Sequence, residues 1–233
     1  MFKGKRVYWG ASGSLRAAVL GINDGLVSNF CLVMAVAGGT DNANAVLLAG
    51  VGGLFAGAFS MAVGEYISMR SQKDVFEHQI DLERTIIETS PESKREVLIN
   101  IYLNKGLSME QASIVTGEIL TSPSIALDTV VREELGLNPS QLGSPWSAAF
   151  SSFAAFVTGA LIPIIPYLVR GNVEVVLQSV SLSAASLLLV GGTISWMSSK
   201  NIIWGAARMA CLGGLAALVT FLLGTIVGSS LLM

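Results

Sequence analysis

Residues 16–33, RAAVLGINDGLVSNFCLV, decide how the chain is read, because they set a carboxylate inside a stretch otherwise apolar enough to span a membrane. An ionised aspartate at mid-bilayer depth costs about 3 kcal/mol on insertion scales, so Asp24 is expected to face a cavity, a partner or an ion. A second acid follows at Glu65, in SMAVGEYISMR (residues 60–70). On a helix Ser28 and Cys31, four and seven residues after Asp24, share its face, and Met61 shares a face with Glu65.

Outward from that stretch, the composition supports a membrane setting. Of 233 residues 52% are hydrophobic and only 13% charged, against about 25% charged in a soluble domain; mean hydropathy is +0.64. Nearly all acids fall in one central block, and the formal net charge is −2, which argues against nucleic-acid binding. Cys31 and Cys211 lie in apolar runs and offer neither a disulfide framework nor a zinc spacing. With one histidine, no Ser-His-Asp or Cys-His grouping is available, so an enzyme is not expected. The basic start MFKGKRVYWGASGS leads into a full-length apolar stretch, so no removable signal peptide is expected.

A bilayer core of about 30 Å needs about 20 apolar residues per helix. Stretches meeting that need run about 17–38, 45–69, 146–169, 175–197 and 209–231. The fold class predicted is therefore an all-α integral membrane protein with five transmembrane helices. Three parts are expected: residues 1–70 with spans one and two, a cytoplasmic helical domain at 71–143, and residues 144–233 with spans three to five. With the N-terminus inside, the lysines and arginines of the termini and loops lie on the cytoplasmic side and only Arg170 lies opposite, which orients the chain N-in and C-out. A prokaryotic inner membrane is expected, with a vacuolar membrane as the alternative.

Residues 71–89 read as a helical extension of the second span. Ser90-Pro91 opens a helix that stops near Gly106, Ser108-Met-Glu-Gln111 matches a capping box for a helix over 109–120, and Ser122-Pro123 opens one that stops at Gly136. Within the spans, Gly21 and Gly25, and Ala49, Gly53 and Gly57, recur at four-residue spacing and permit close helix approach. Pro163 and Pro166 must disturb the third span, and a break there could line a cavity.

Span one rises where span two returns, so Asp24 and Glu65 are expected to face each other at comparable depth. Two carboxylates with the Met61 thioether suit a first-row divalent ion such as Fe2+ or Mn2+ better than magnesium or calcium. The same acids can take protons when the metal leaves. Plainer readings stand beside this one: Asp24 as a hydrogen-bonded structural acid, Glu65 among headgroups, Met61 as packing and Cys31 as a small buried residue.

VLGINDGLVSNF (19–30), LLAGVGGLFAGAFSMAVGEYISMRSQKD (47–74), VREELGL (131–137) and ALIPIIPYLV (160–169), in that order, resemble the vacuolar iron transporter family across almost the whole chain. The resemblance implies a homodimer of five-helix subunits with the path between them. It also implies export of Fe2+ or Mn2+ from the cytoplasm in exchange for protons. It puts the pathway acid on Asp24 and the pathway methionine on Met61, with Glu65 matching a glutamate of many members. The metal is cargo on this reading and no cofactor is implied.

In plant-like members the cytoplasmic domain gathers metal on glutamates and methionines, and the corresponding acids fall here on Glu83 and Glu134. Other positions of that set carry Ile86, Val97, Val130 and Val131, which cannot ligate a metal, and Lys94, which would repel one. A minimal site of Glu83 and Glu134 with Glu77, His78 or Asp81 is the expectation, against solvated helix-face charges. A second class of function is a membrane-anchored regulatory or interaction protein of the same fold with reduced or no transport.

Overall fold

The computed structural model describes residues 13–137, 143–169 and 174–231. The basic N-terminal stretch and Arg170, which carry part of the orientation reading, lie outside the described residues. The described elements are helical: α1 (Gly13–Gly39), α2 (Ala43–Thr89), α3 (Pro91–Asn104), α4 (Met109–Leu120), α5 (Pro123–Glu133), α6 (Pro145–Leu161), α7 (Ile165–Leu168), α8 (Val175–Met197) and α9 (Ile202–Leu231). Five helical stretches are long and apolar enough to cross a membrane, with α6 and α7 together making the third. This is an all-α, multi-pass membrane protein.

The chain divides into two compact units, one made of residues up to Ile67 together with those from Ser144 on, the other of Ser68–Gly143. In the first unit the small residues do the packing that their spacing implies. A methyl group on Gly21 would stand 2.7 Å from the Ser152 carbonyl oxygen, and one on Gly159 would stand 2.8 Å from the Leu26 nitrogen. α1 and α6 therefore touch backbone to backbone, and any side chain there would drive them apart. Gly53 gives the same access to Leu32 and Asn29 of α1, and Gly57 to the Phe156 ring of α6. These glycines are spent inside one chain.

The third span breaks at its prolines, as their missing donors require. α6 ends at Leu161, a 3-10 turn covers Ile162–Ile164, and α7 follows. Unmet carbonyls at lipid depth are costly, and side chains from two other helices meet them. Asn29 Nδ2 of α1 donates to the Ala160 carbonyl at 2.7 Å, and Ser179 Oγ of α8 donates to the Pro163 carbonyl at 2.8 Å, both buried. Pro163, Ile164, Pro166 and Tyr167 are buried too, so the break is a packed joint rather than a cavity wall.

The fifth helix begins seven residues before the expected 209, because Asn201 caps it through Oδ1 to the Trp204 amide at 3.1 Å. Arg208, expected outside the span, thus lies within α9.

The second unit follows its capping signals. The Ser108–Gln111 capping box closes reciprocally over α4. Ser90 and Ser122 make no side-chain cap bond, since the proline after each has already removed one donor. Gly106 and Gly136 take φ of +96° and +64°, which a side chain resists, and they follow the ends of α3 and α5. Ile87, Leu98, Ala126 and Val130 form its core.

Candidate functional site

Asp24 is the twelfth residue of α1, about 17 Å along the helix from Gly13, and it is exposed. It belongs to an exposed stripe of one residue per turn, Arg16, Leu20, Asp24 and Ser28. Ser28 turns its hydroxyl back to the Asp24 carbonyl oxygen at 2.5 Å, so it serves the backbone. Cys31 leaves this face for the core, half-buried beside Thr220 of α9.

Glu65 does not meet Asp24. Its side chain is 10% exposed and its Oε1 lies 3.4 Å from the Arg16 guanidinium, two turns before Asp24. Eight residues of helix rise about 12 Å, so the two acids lie at different depths, contrary to the expectation from sequence. Sequence reasoning passed over Arg16 as a partner, although its position eight residues before Asp24 put it on the same stripe.

Met61 lies between those levels. Its sulfur is 4.0 Å from the hydroxyl of buried Ser152, whose carbonyl lies against Gly21. Glu65, Met61 and Asp24 therefore mark successive levels along α1 and α2. Among the described residues, no three His, Cys, Asp or Glu side chains gather closely enough to hold a metal ion within one chain. On the outer face of α2, Gly52, Ala56, Ser60 and Gly64 recur every fourth residue and are all exposed, with open space at Gly52 and Gly64. Arg208 shares with Asn23, Gly191, Gly205 and Gly213 the lining of a cleft of about 330 Å³ between α1, α8 and α9.

In the second unit Glu83 and Glu134 do come together, but around an ammonium. Lys94 Nζ lies 2.5 Å from Glu83 Oε2 and 3.0 and 2.8 Å from the two oxygens of Glu134. Lys94 is 5% exposed, so its charge is matched inside the protein. Burial alone would push its pKa down, but the hydrogen bonds and charges of Glu134 and Glu83 outweigh that and hold it above the usual lysine range. The seat expected to hold a metal ion is filled by the chain itself. Glu77, His78 and Asp81 are exposed, and Glu77 and Asp81 pair along the helix with Lys73 at 3.6 Å and Arg84 at 2.8 Å.

Five lipid-length helices, the first with a carboxylate on its exposed face, define a multi-pass membrane protein. Its family is settled by comparison: a model described as the VIT family matches residues 15–225, and the chain belongs to that family. It is 34% identical over 221 residues to a vacuolar iron transporter of Acanthamoeba castellanii, covering 92% of this chain and 79% of that protein. It is 28% identical to vacuolar iron transporter 1 of Arabidopsis thaliana, covering 91% and 86%. To vacuolar iron transporter 1 of Eucalyptus grandis it is 27% identical, covering 93% and 88%.

Proposed function

We propose that this protein moves a divalent transition metal, Fe2+ or Mn2+, out of the cytoplasm in exchange for protons, along a path formed between two copies of the chain. The observation that carries the proposal is the exposure of Asp24 on α1 at span depth. Left in lipid, that carboxylate would cost about 3 kcal/mol; covered by a second copy, it becomes half of a paired acid site. The names of the relatives, vacuolar iron transporters, support iron as cargo. The mixture of carboxylate and thioether suits borderline first-row ions.

In this reading the ion enters past Glu65 and Arg16, meets Met61 and reaches Asp24, whose carboxylate holds either the metal or a proton. Alternate occupancy of one site couples the two fluxes. The orientation is N-in, with residues 71–143 in the cytoplasm. The metal is substrate, and no resident cofactor is part of the scheme.

The test is metal uptake into proteoliposomes under a proton gradient, with wild type and Asp24→Asn compared for Fe2+ and Mn2+. Wild type should transport and Asp24→Asn should fall to the background of empty vesicles. Equal flux in both, or none in either, overturns the proposal and fits a membrane-anchored interaction protein of the same fold.

A further inference from the structure

Two carboxylates from distant parts of the chain, Glu83 near the end of α2 and Glu134 after α5, converge on one point of the second unit. Their side chains are 11% and 28% exposed. Such a convergence stands only if a cation occupies the point. Here the cation is Lys94 of α3, 5% exposed and one helical turn before Leu98 of the unit's apolar core. The one ammonium ties α3 to the end of α2 and to the turn after α5. Glu83 Oε2 receives it as an ion contact, while Glu134 takes it through both oxygens.

We propose that Lys94 is the resident cation of a carboxylate seat that closes this helical unit without metal, and that removing its charge turns the seat into a divalent-cation site. The consequence for function is that the unit's closure is independent of cytoplasmic metal. It neither gathers the ion nor responds to it at this seat. The inference does not rest on the transport reading, since it concerns only groups within residues 68–143.

Hydrogen–deuterium exchange of the full chain in detergent reads the unit segment by segment, so ions bound elsewhere do not confuse it. Wild type, Lys94→Met and the neutral triple variant Glu83→Gln/Lys94→Met/Glu134→Gln are compared with and without Mn2+. Peptides covering 80–104 and 123–137 should exchange equally with and without Mn2+ in wild type. In metal-free Lys94→Met they should exchange faster by about tenfold or more, because buried Glu83 and its part-exposed neighbour Glu134 are left without a cation between them. Mn2+ should return them toward the wild-type rate, and the triple variant should be indifferent to it. Protection of wild type by Mn2+, unchanged exchange in Lys94→Met, loosening that Mn2+ does not reverse, or a Mn2+ effect in the triple variant would each overturn the inference. If Lys94→Met accumulates only when Mn2+ is present, the inference is supported; if it fails in both conditions while the triple variant folds, it is overturned.

Discussion

At the scale of single residues, the same pairing of cation and carboxylate serves two different ends. Glu65 meets an Arg16 whose side chain is 58% exposed, at a loose 3.4 Å, so the partner can leave. Glu83 meets a Lys94 with 6% of its side chain exposed, held on two sides, so the partner stays. With its Arg16 end exposed and its 3.4 Å separation loose, the Glu65 pair contributes about 1 kcal/mol or less, which makes Arg16 a weak competitor for an arriving ion. Replacing Arg16 by Gln should therefore leave the melting temperature near wild type and lower the KM for Mn2+ uptake by roughly two- to fivefold. A higher KM in initial-rate measurements would instead make Arg16 a structural support for Glu65.

The Lys94 clasp carries a pH signature of definite sign. Its pKa is raised on folding, so its stabilisation is complete below the unfolded value of about 10.4 and disappears only as pH rises through the higher folded one. The gap in melting temperature between wild type and Lys94→Met, followed by circular dichroism, should stay constant from neutral pH to about pH 10 and close above it. A gap that narrows between pH 7 and 9 would contradict that sign.

At the scale of elements, the bilayer made the spans readable and the cross-helix partnerships opaque. Hydropathy and length identify α1, α8, the α6–α7 pair and the start of α2 within a few residues, because the thickness of lipid sets how long an apolar run must be. Capping chemistry marked α4 through Ser108 and Gln111, since both groups lie within one turn. Glu65 and Arg16 stand 49 residues apart, and Lys94 and Glu134 stand 40 apart. Which residues meet over such separations depends on helix crossing, which no local pattern encodes. Asp24 was legible because a charge in an apolar run stands out. Lys94 was legible only as a foreign residue among acids, and its place as the centre of the cluster needed coordinates.

The proline joint shows the same limit. Pro163 and Pro166 announced a break, but the groups that satisfy it, Asn29 and Ser179, come from α1 and α8. Asn29→Ala should cost about 1 kcal/mol in detergent unfolding experiments, since it strands the Ala160 carbonyl. Transport per folded molecule should be retained if the joint is only structural. A loss of flux with unchanged stability would place Asn29 in the path itself.

At the scale of the molecule, one chain leaves two linear features on its outside: the Arg16–Leu20–Asp24–Ser28 stripe of α1 and the Gly52–Ala56–Ser60–Gly64 stripe of α2. The glycines of α1 and those facing it on α2 are already used within the chain, whereas this second set is exposed, with open space at Gly52 and Gly64. Small residues in a row let a second helix come close, and the proposed two-fold pairing gives both stripes a neighbour while removing Asp24 from lipid.

That seam can be locked. Ser28→Cys, made with Cys31→Ala and Cys211→Ala so that it carries the sole thiol, is reconstituted in proteoliposomes and oxidised, and Mn2+ flux is recorded before and after reduction. The expected result is a disulfide-linked dimer whose flux is blocked and then restored by reductant. A linked dimer that transports at the unlinked rate, or no linkage at all in an actively transporting membrane, would contradict a metal path between two Asp24 faces.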